Sequence, residues 1–316
     1  MDTKVRVARA EYFFWLATLL AAFLLLRGES VEDTAPFSFK AESFASAEAS
    51  GAYSAFENLA LEAKAVSVYD ATFGRTLYAR EQDTVLPLAS LTKIMTAITA
   101  LSLVPETTLI PIESVFLSPE GDSGLKTGDK WVLRDLLQFT LIESSNDGAF
   151  AIGSAIGSIA AGTDDYAKGR AFFLLGMNEI AKSLGLKHMH FNNETGLDMD
   201  DSVSGGYGTA KEMARLMMHA LKAHPNIFKE TRWSEFLVSS EGSDRTARNT
   251  NKSIGQFPLL IASKTGYTDL AGGNLVVAFD AGFGRPILIV VLGSTLEGRF
   301  TDAEKLSWAA IRNLAR

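Results

Sequence analysis

Apolar residues along this chain change their spacing several times, and each change marks an element. The first apolar run extends from Tyr12 to Leu26, broken only by Thr18 and preceded by Lys4, Arg6 and Arg9. Basic residues ahead of a short apolar run address a chain to the membrane. The run is shorter than the roughly 20 residues a spanning helix uses. No small-x-small cleavage site follows it closely: Arg27, Gly28 and Glu29 come next, and the first Ala-x-Ala is Ala45-Ser46-Ala47. The expectation is an N-terminal membrane anchor over residues 1–27, with a cleaved signal as the alternative. The excess of basic residues before the run places its start in the cytoplasm and residues 28 onward outside. Residues 28–56 are rich in Ser, Ala and Glu without a sustained period, which reads as a flexible linker. Residues 57–316 then form one globular domain.

Within that domain, Ala65-Val66-Ser67-Val68-Tyr69 and Thr76-Leu77-Tyr78 predict two strands around a turn containing Gly74. Ser90 begins an apolar helix reaching about Leu103, and Arg134–Ile142 predicts another that runs into Ser144. The stretch from Gly148 to Ala161 is small and apolar, the composition of a helix packed tightly among others. Helices follow at about 165–184 and 209–223. Leu259–Ala262 is a short apolar run leading into Lys264. Gly273–Phe279 and Pro286–Leu292 predict two buried strands turning at Gly282–Arg285, and a helix over Thr301–Leu314 ends the chain. Strands at both ends with helices between them predict an α/β fold of the α+β type. Its antiparallel sheet is formed by both ends of the domain and flanked by helices, with a mostly helical subdomain.

Composition narrows the chemistry. The net charge of −7 and the lack of a basic cluster argue against a nucleic-acid partner. With no cysteine there is no thiolate metal site and no thiol nucleophile. The four histidines show no metal-ligating spacing, and His188-Met189-His190 reads as a surface pair. The expectation is therefore an activity with no metal and no cofactor.

Three short motifs carry the candidate chemistry: Ser90-Leu91-Thr92-Lys93, Ser144-Ser145-Asn146 and Lys264-Thr265-Gly266. Together and in this order they supply the parts of an active-site serine that uses lysine as its base. A serine hydroxyl is a weak nucleophile until a neighbouring base takes its proton. Ser90 and Lys93, three apart on a helix, share one face. Lys93 can act as a base only if it is neutral, against an ordinary value near 10.4; burial and a second cation, Lys264, are the expected causes. A second Ser-x-x-Lys, Ser123–Lys126, overlaps a second Lys-Thr-Gly, Lys126–Gly128, but lies in a polar, glycine-rich turn with no helix to hold a base. Ser144 is expected to relay a proton and Asn146 to orient Lys93, while a helix cap is the structural alternative for this motif. Lys264 and Thr265 suit a carboxylate, and Gly266 lets a substrate backbone lie close to the strand.

On these residues the chain resembles the serine D-alanyl-D-alanine carboxypeptidases, the low-molecular-mass penicillin-binding proteins with a serine β-lactamase-like fold. The resemblance extends over Pro87–Thr96, Ser145-Asn146-Asp147, Thr195-Gly196-Leu197 and Lys264–Thr268 with Ala271-Gly272. It implies that Ser90 attacks the bond between the terminal D-alanines of a peptidoglycan stem peptide. It also implies an oxyanion hole from the backbone N–H groups of Ser90 and Tyr267, and a carboxylate site from Lys264, Thr265 and Arg299. β-Lactams would acylate Ser90, outside the cytoplasm. Many members carry a further β-rich domain and a C-terminal amphipathic helix, which this sequence does not show; the N-terminal anchor is expected to replace that helix. Glu194 in Glu194–Asp198 resembles the water-activating glutamate of class A β-lactamases and is expected to be incidental. A D,D-endopeptidase, a β-lactamase and a non-catalytic wall-binding module are the alternatives.

Overall fold

The computed structural model describes residues 55–117, Gly121 and 124–315. The anchor expected over 1–27 and nearly all of the linker expected over 28–56 lie outside these residues. Phe56, assigned to that linker, is buried and stacks on Tyr78 at 5.0 Å, so the packed domain begins earlier than residue 57. Among the described residues no helix is long and apolar enough to cross a membrane.

The chain starts with β1 (Ala65–Asp70), β2 (Arg75–Arg80) and the short β3 (Leu86–Pro87). A 3₁₀ turn over Ala89–Leu91 leads into helix α1 (Thr92–Leu103), so Ser90 stands in the turn that feeds the helix and not within the helix itself. Next come β4 (Leu109–Pro111), β5 (Lys130–Val132), α2 (Leu133–Ile142), α3 (Asn146–Ala161) and α4 (Tyr166–Ser183). The short strands β6 (His190–Phe191) and β7 (Gly206–Gly208) precede α5 (Ala210–Ala223) and the single turn α6 (Pro225–Phe228). A hairpin of β8 (Glu235–Ser240) and β9 (Ser243–Arg248) follows. The chain closes with β10 (Leu260–Thr268), β11 (Gly272–Asp280), β12 (Pro286–Ser294) and α7 (Gly298–Leu314).

The main sheet has the order β10-β11-β12-β1-β2 with every neighbouring pair antiparallel, so the two ends of the domain build it together. Successive side chains of a strand point to opposite faces. Along β12, Leu288, Val290 and Leu292 join the core shared with α1–α5, while Ile287, Ile289 and Val291 join the core under α7. Both faces are covered, which is why β11 and β12 read as continuous apolar runs without alternation. Strand β10 is the outer strand of this sheet and runs beside the Ser90 turn. The cleft between them is where the motifs meet.

The helical side is held by a close crossing of α3 and α4. A methyl group at Gly157 would collide with the carbonyl oxygen of Gly169 on the facing helix. The small composition read from the sequence is the condition for that approach. His188, the candidate surface histidine, is satisfied by Glu212 at 3.0 Å.

Overpacking this crossing with Gly157→Val should cost about 2 kcal/mol. That corresponds to a fall in Tm of roughly 5 °C for a domain of this size. Thermal unfolding reads it, and an unchanged Tm would mean that the helices separate freely.

Candidate active site

Four separate segments converge on Ser90. Ala89 has a φ of +48°, a left-handed conformation that is unfavourable for a residue with a side chain and turns the chain sharply before Ser90. One helical turn later Lys93 points back along the same face. Its Nζ lies 2.9 Å from Ser90 Oγ, 2.7 Å from Asn146 Oδ1 and 2.7 Å from the carbonyl oxygen of Thr195. Three oxygens match the three N–H groups of an ammonium; once the amine is neutral, two N–H bonds stay on the carbonyl oxygens and the lone pair is left facing the Ser90 hydroxyl.

The Ser144–Asn146 motif divides its labour. Ser145 is the N-cap of α3, its Oγ accepting from the Gly148 N–H at 2.8 Å. The capping alternative is thus realised by the middle residue alone, leaving its neighbours for the cleft. Ser144, at φ +61°, presents its Oγ to Lys264 Nζ at 2.8 Å, and Asn146 faces Lys93.

Strand β10 supplies the far wall. Lys264 and Thr265 are buried, and Lys264 Nζ also donates to the Thr265 carbonyl at 2.9 Å. The Thr265 hydroxyl lies 2.5 Å from that of Thr250. A Cβ at Gly266 would sit 3.0 Å from the Leu88 carbonyl oxygen and 3.1 Å from the Ser90 nitrogen, so only glycine keeps the space before that N–H open. The Tyr267 ring is exposed while its backbone pairs with Gly273. Arg299 lies behind the strand, with Nη1 donating to the Gly266 carbonyl at 2.7 Å. Its Nε finds no acceptor among the described residues. The end of β10 is tied by Asp198, which accepts from Thr268 Oγ1 at 3.0 Å and from the Leu270 N–H at 3.2 Å.

Electrostatics follow from burial. Lys93 is 1% exposed, and desolvation lowers its pKa to about 7, while the charge of Glu194 opposes that fall. Of the two expected causes burial leads, whereas the repulsion between the two lysines falls on Lys264, which is itself held well below its ordinary value by burial and by the charges of Lys93 and Arg299. Among the described residues no cluster of His, Asp and Glu could hold a metal ion.

The structure therefore brings Ser90, Lys93, Ser144, Asn146, Lys264, Thr265, Gly266 and the Tyr267 backbone to one cleft, with Arg299 bracing it from behind. The competing Lys126-Thr127-Gly128 lies apart in a turn with Gly128 at φ +90°; Ser123 lies outside the described residues. Sequence reasoning missed the Thr195 carbonyl and Thr250. The Thr195-Gly196-Leu197 pattern was the one available signal for the first of these.

A buried lysine whose folded pKa lies below its unfolded value binds fewer protons in the native state, so stability rises with pH between the two values. For Lys93 that window runs from about 7 to about 10.5. Relative to Lys93→Met, the parent should gain roughly 4 kcal/mol across it and nothing below it. Urea unfolding at pH 6 and at intervals up to pH 10 reads this; parallel profiles for the two proteins would refute the burial argument.

Comparison with known proteins agrees with this geometry. The family described as D-alanyl-D-alanine carboxypeptidase matches residues 52–295. The D-alanyl-D-alanine carboxypeptidase DacF of Bacillus subtilis is 29% identical over 255 residues, covering 78% of this chain and 62% of that protein. The D-alanyl-D-alanine endopeptidase of Pseudomonas aeruginosa is 29% identical over 245 residues, covering 76% and 74%. The chain thus spans less than two thirds of the Bacillus relative. In fold, it is similar to penicillin-binding protein D2 of Listeria monocytogenes in its ampicillin-bound form. That match has a TM-score of 0.66 and 29% identity, and covers 80% of this chain and 98% of that one. With its serine, two lysines and Lys-Thr-Gly strand gathered on this fold, the chain belongs to the D-alanyl-D-alanine carboxypeptidase family of serine hydrolases.

Proposed function

We propose that this protein is an extracytoplasmic serine D,D-carboxypeptidase that removes the terminal D-alanine from peptidoglycan stem peptides. The observation that carries the reading is the Lys93 amine, buried to a pKa of about 7 and 2.9 Å from Ser90 Oγ. A base with a pKa near the working pH is the efficient one.

Neutral Lys93 takes the Ser90 proton as Oγ bonds to the carbonyl carbon between the two D-alanines. The oxyanion accepts hydrogen bonds from the backbone N–H groups of Ser90 and Tyr267, next to which Gly266 keeps the approach open. As the tetrahedral species collapses, the C–N bond breaks and Ser144 passes its proton to the departing amine, while the proton Lys93 took from Ser90 replaces it and leaves Lys93 neutral again. The Ser144 hydroxyl is polarised for this by Lys264 Nζ at 2.8 Å. D-Alanine leaves, and water then attacks the Ser90 ester, with Lys93 taking the water's proton and returning it to Ser90 Oγ as the ester bond breaks and the shortened peptide departs. The terminal carboxylate lies against Lys264 and Thr265, while Arg299 holds the Gly266 carbonyl that shapes that wall. β-Lactams acylate the same oxygen.

Residues 1–27 anchor the chain in the membrane and the segment after them spaces the catalytic domain, which includes Phe56, from it; the basic residues before Tyr12–Leu26 support this reading. The similarity to the Pseudomonas endopeptidase favours one second reading, cleavage of the D-alanyl bond within cross-links.

D-Alanine release from a peptide ending in D-Ala-D-Ala should depend on Ser90, falling at least about a thousandfold in Ser90→Ala. Release that survives this change would overturn the mechanism. A cross-linked dimer offered beside the linear peptide separates the two readings: faster cleavage of the dimer selects the endopeptidase.

A further inference from the structure

Glu194 was expected to be incidental, but it is one of the more tightly held carboxylates near the cleft. Its side chain is 1% exposed, and Arg170 Nε on α4 sits 2.9 and 3.0 Å from its two oxygens. The guanidinium in turn lies over the Phe150 ring of α3 at 4.7 Å. Opposite the carboxylate stem is Gly153, where an added Cβ would come within 3.0 Å of Glu194 Cγ. With both oxygens engaged by Arg170 and no exposure, this carboxylate is not placed to activate water as the β-lactamase glutamate does.

Its backbone points to a different role. The Glu194 carbonyl accepts from Thr96 Oγ1 at 2.6 Å, and the next carbonyl, that of Thr195, is the oxygen on which Lys93 Nζ rests at 2.7 Å. The other side of this segment is fixed by Asn193 Oδ1, which accepts from Thr195 Oγ1 at 3.0 Å and from the Gly196 N–H at 2.7 Å. The side chain of Glu194 thus anchors to α4 a stretch whose backbone is a ligand of the lysine.

We propose that Glu194 and Arg170 form a positioning pair that holds the Thr195 carbonyl against Lys93 and sets the charge Lys93 carries. This rests on the reading of Lys93 as the base. The carboxylate is buried while the Arg170 side chain is 36% exposed; taking a carboxylate out of water is costly even when it is paired, so stability alone gives small reason for the pair. Through space, the Glu194 carboxylate favours protonated Lys93, opposing burial. Burial pushes the Glu194 carboxyl up, and Arg170 opposes this and favours the ionised form. The other charged groups around Lys93 are Lys264 on β10 and, beyond it, Arg299 on α7. Asp147 is a further buried carboxylate, on α3.

The test is the pH dependence of Ser90 acylation by benzylpenicillin in the full chain, followed by mass spectrometry from pH 5 to 9. Glu194→Gln keeps an acceptor for Arg170 but removes the negative charge, so the acid limb should move down by about half a pH unit. This is a roughly threefold higher rate, relative to the plateau, below the limb. Arg170→Met removes the cation that keeps the buried carboxyl ionised, so burial drives it toward the neutral acid and the limb should again move down, by no more than in Glu194→Gln. The double variant should match Glu194→Gln. A merely structural pair would lower plateau rates without moving the limb, and limbs that superimpose on the parent overturn the proposal. If Arg170→Met does not fold, the direction of the Glu194→Gln shift decides alone. A parent with no Ser90-dependent acylation overturns the base assignment and this proposal with it.

Discussion

The organising constraint in this protein is a lysine amine taken out of water. An ammonium group buried without compensation is so unfavourable that the group loses its proton instead. Lys93 is buried with three oxygens around its nitrogen, from Ser90, Asn146 and Thr195. These come from the turn before α1, the start of α3 and the loop after β6. The requirement to close this pocket therefore fixes where those elements meet. The instability built into the pocket is the same property that makes the amine basic toward a hydroxyl at neutral pH.

Strain is placed beside it. Six non-glycine residues among those described have positive φ, and two of them, Ala89 and Ser144, flank or form the cleft. Such conformations cost about 1–3 kcal/mol and persist where the surrounding structure holds them. Ala89 is held between the Ser90 turn and Gly266 of β10. Ser144 is held between the end of α2 and the Ser145 cap that starts α3. The rigid part of the fold is the two-sided sheet, built from both ends of the domain and covered by α7 on one face and α5 on the other. Its edge strand β10 can carry cleft-facing groups on one edge because its other edge is fixed to β11.

Much of this was legible before the structure. β11 and β12 announced themselves as unbroken apolar runs because each face meets a core, and α3 did so by its small residues. The Ser90–Lys93 spacing located the pair that now lies 2.9 Å apart. The short strands β3 to β9 were invisible, since two or three residues carry no period, and the β8–β9 hairpin is half polar. The Thr195 carbonyl was missed because a backbone oxygen has no residue type to betray it. Glu194 and Arg170 sit 24 residues apart on different elements, and only the fold joins them. Burial of Lys93 was legible as a requirement of its role, but the lowering of Lys264 was not, since its own burial follows only from the fold.

The central claim is that Lys93 is neutral over a large part of the neutral pH range. Its direct measurement is an NMR titration of the lysine side-chain carbon next to the amine, with Lys93 assigned by its absence in Lys93→Met. The account predicts a Lys93 resonance that titrates near pH 7, far below the ordinary lysine value. A Lys93 resonance that stays in its protonated position up to pH 10 would contradict it.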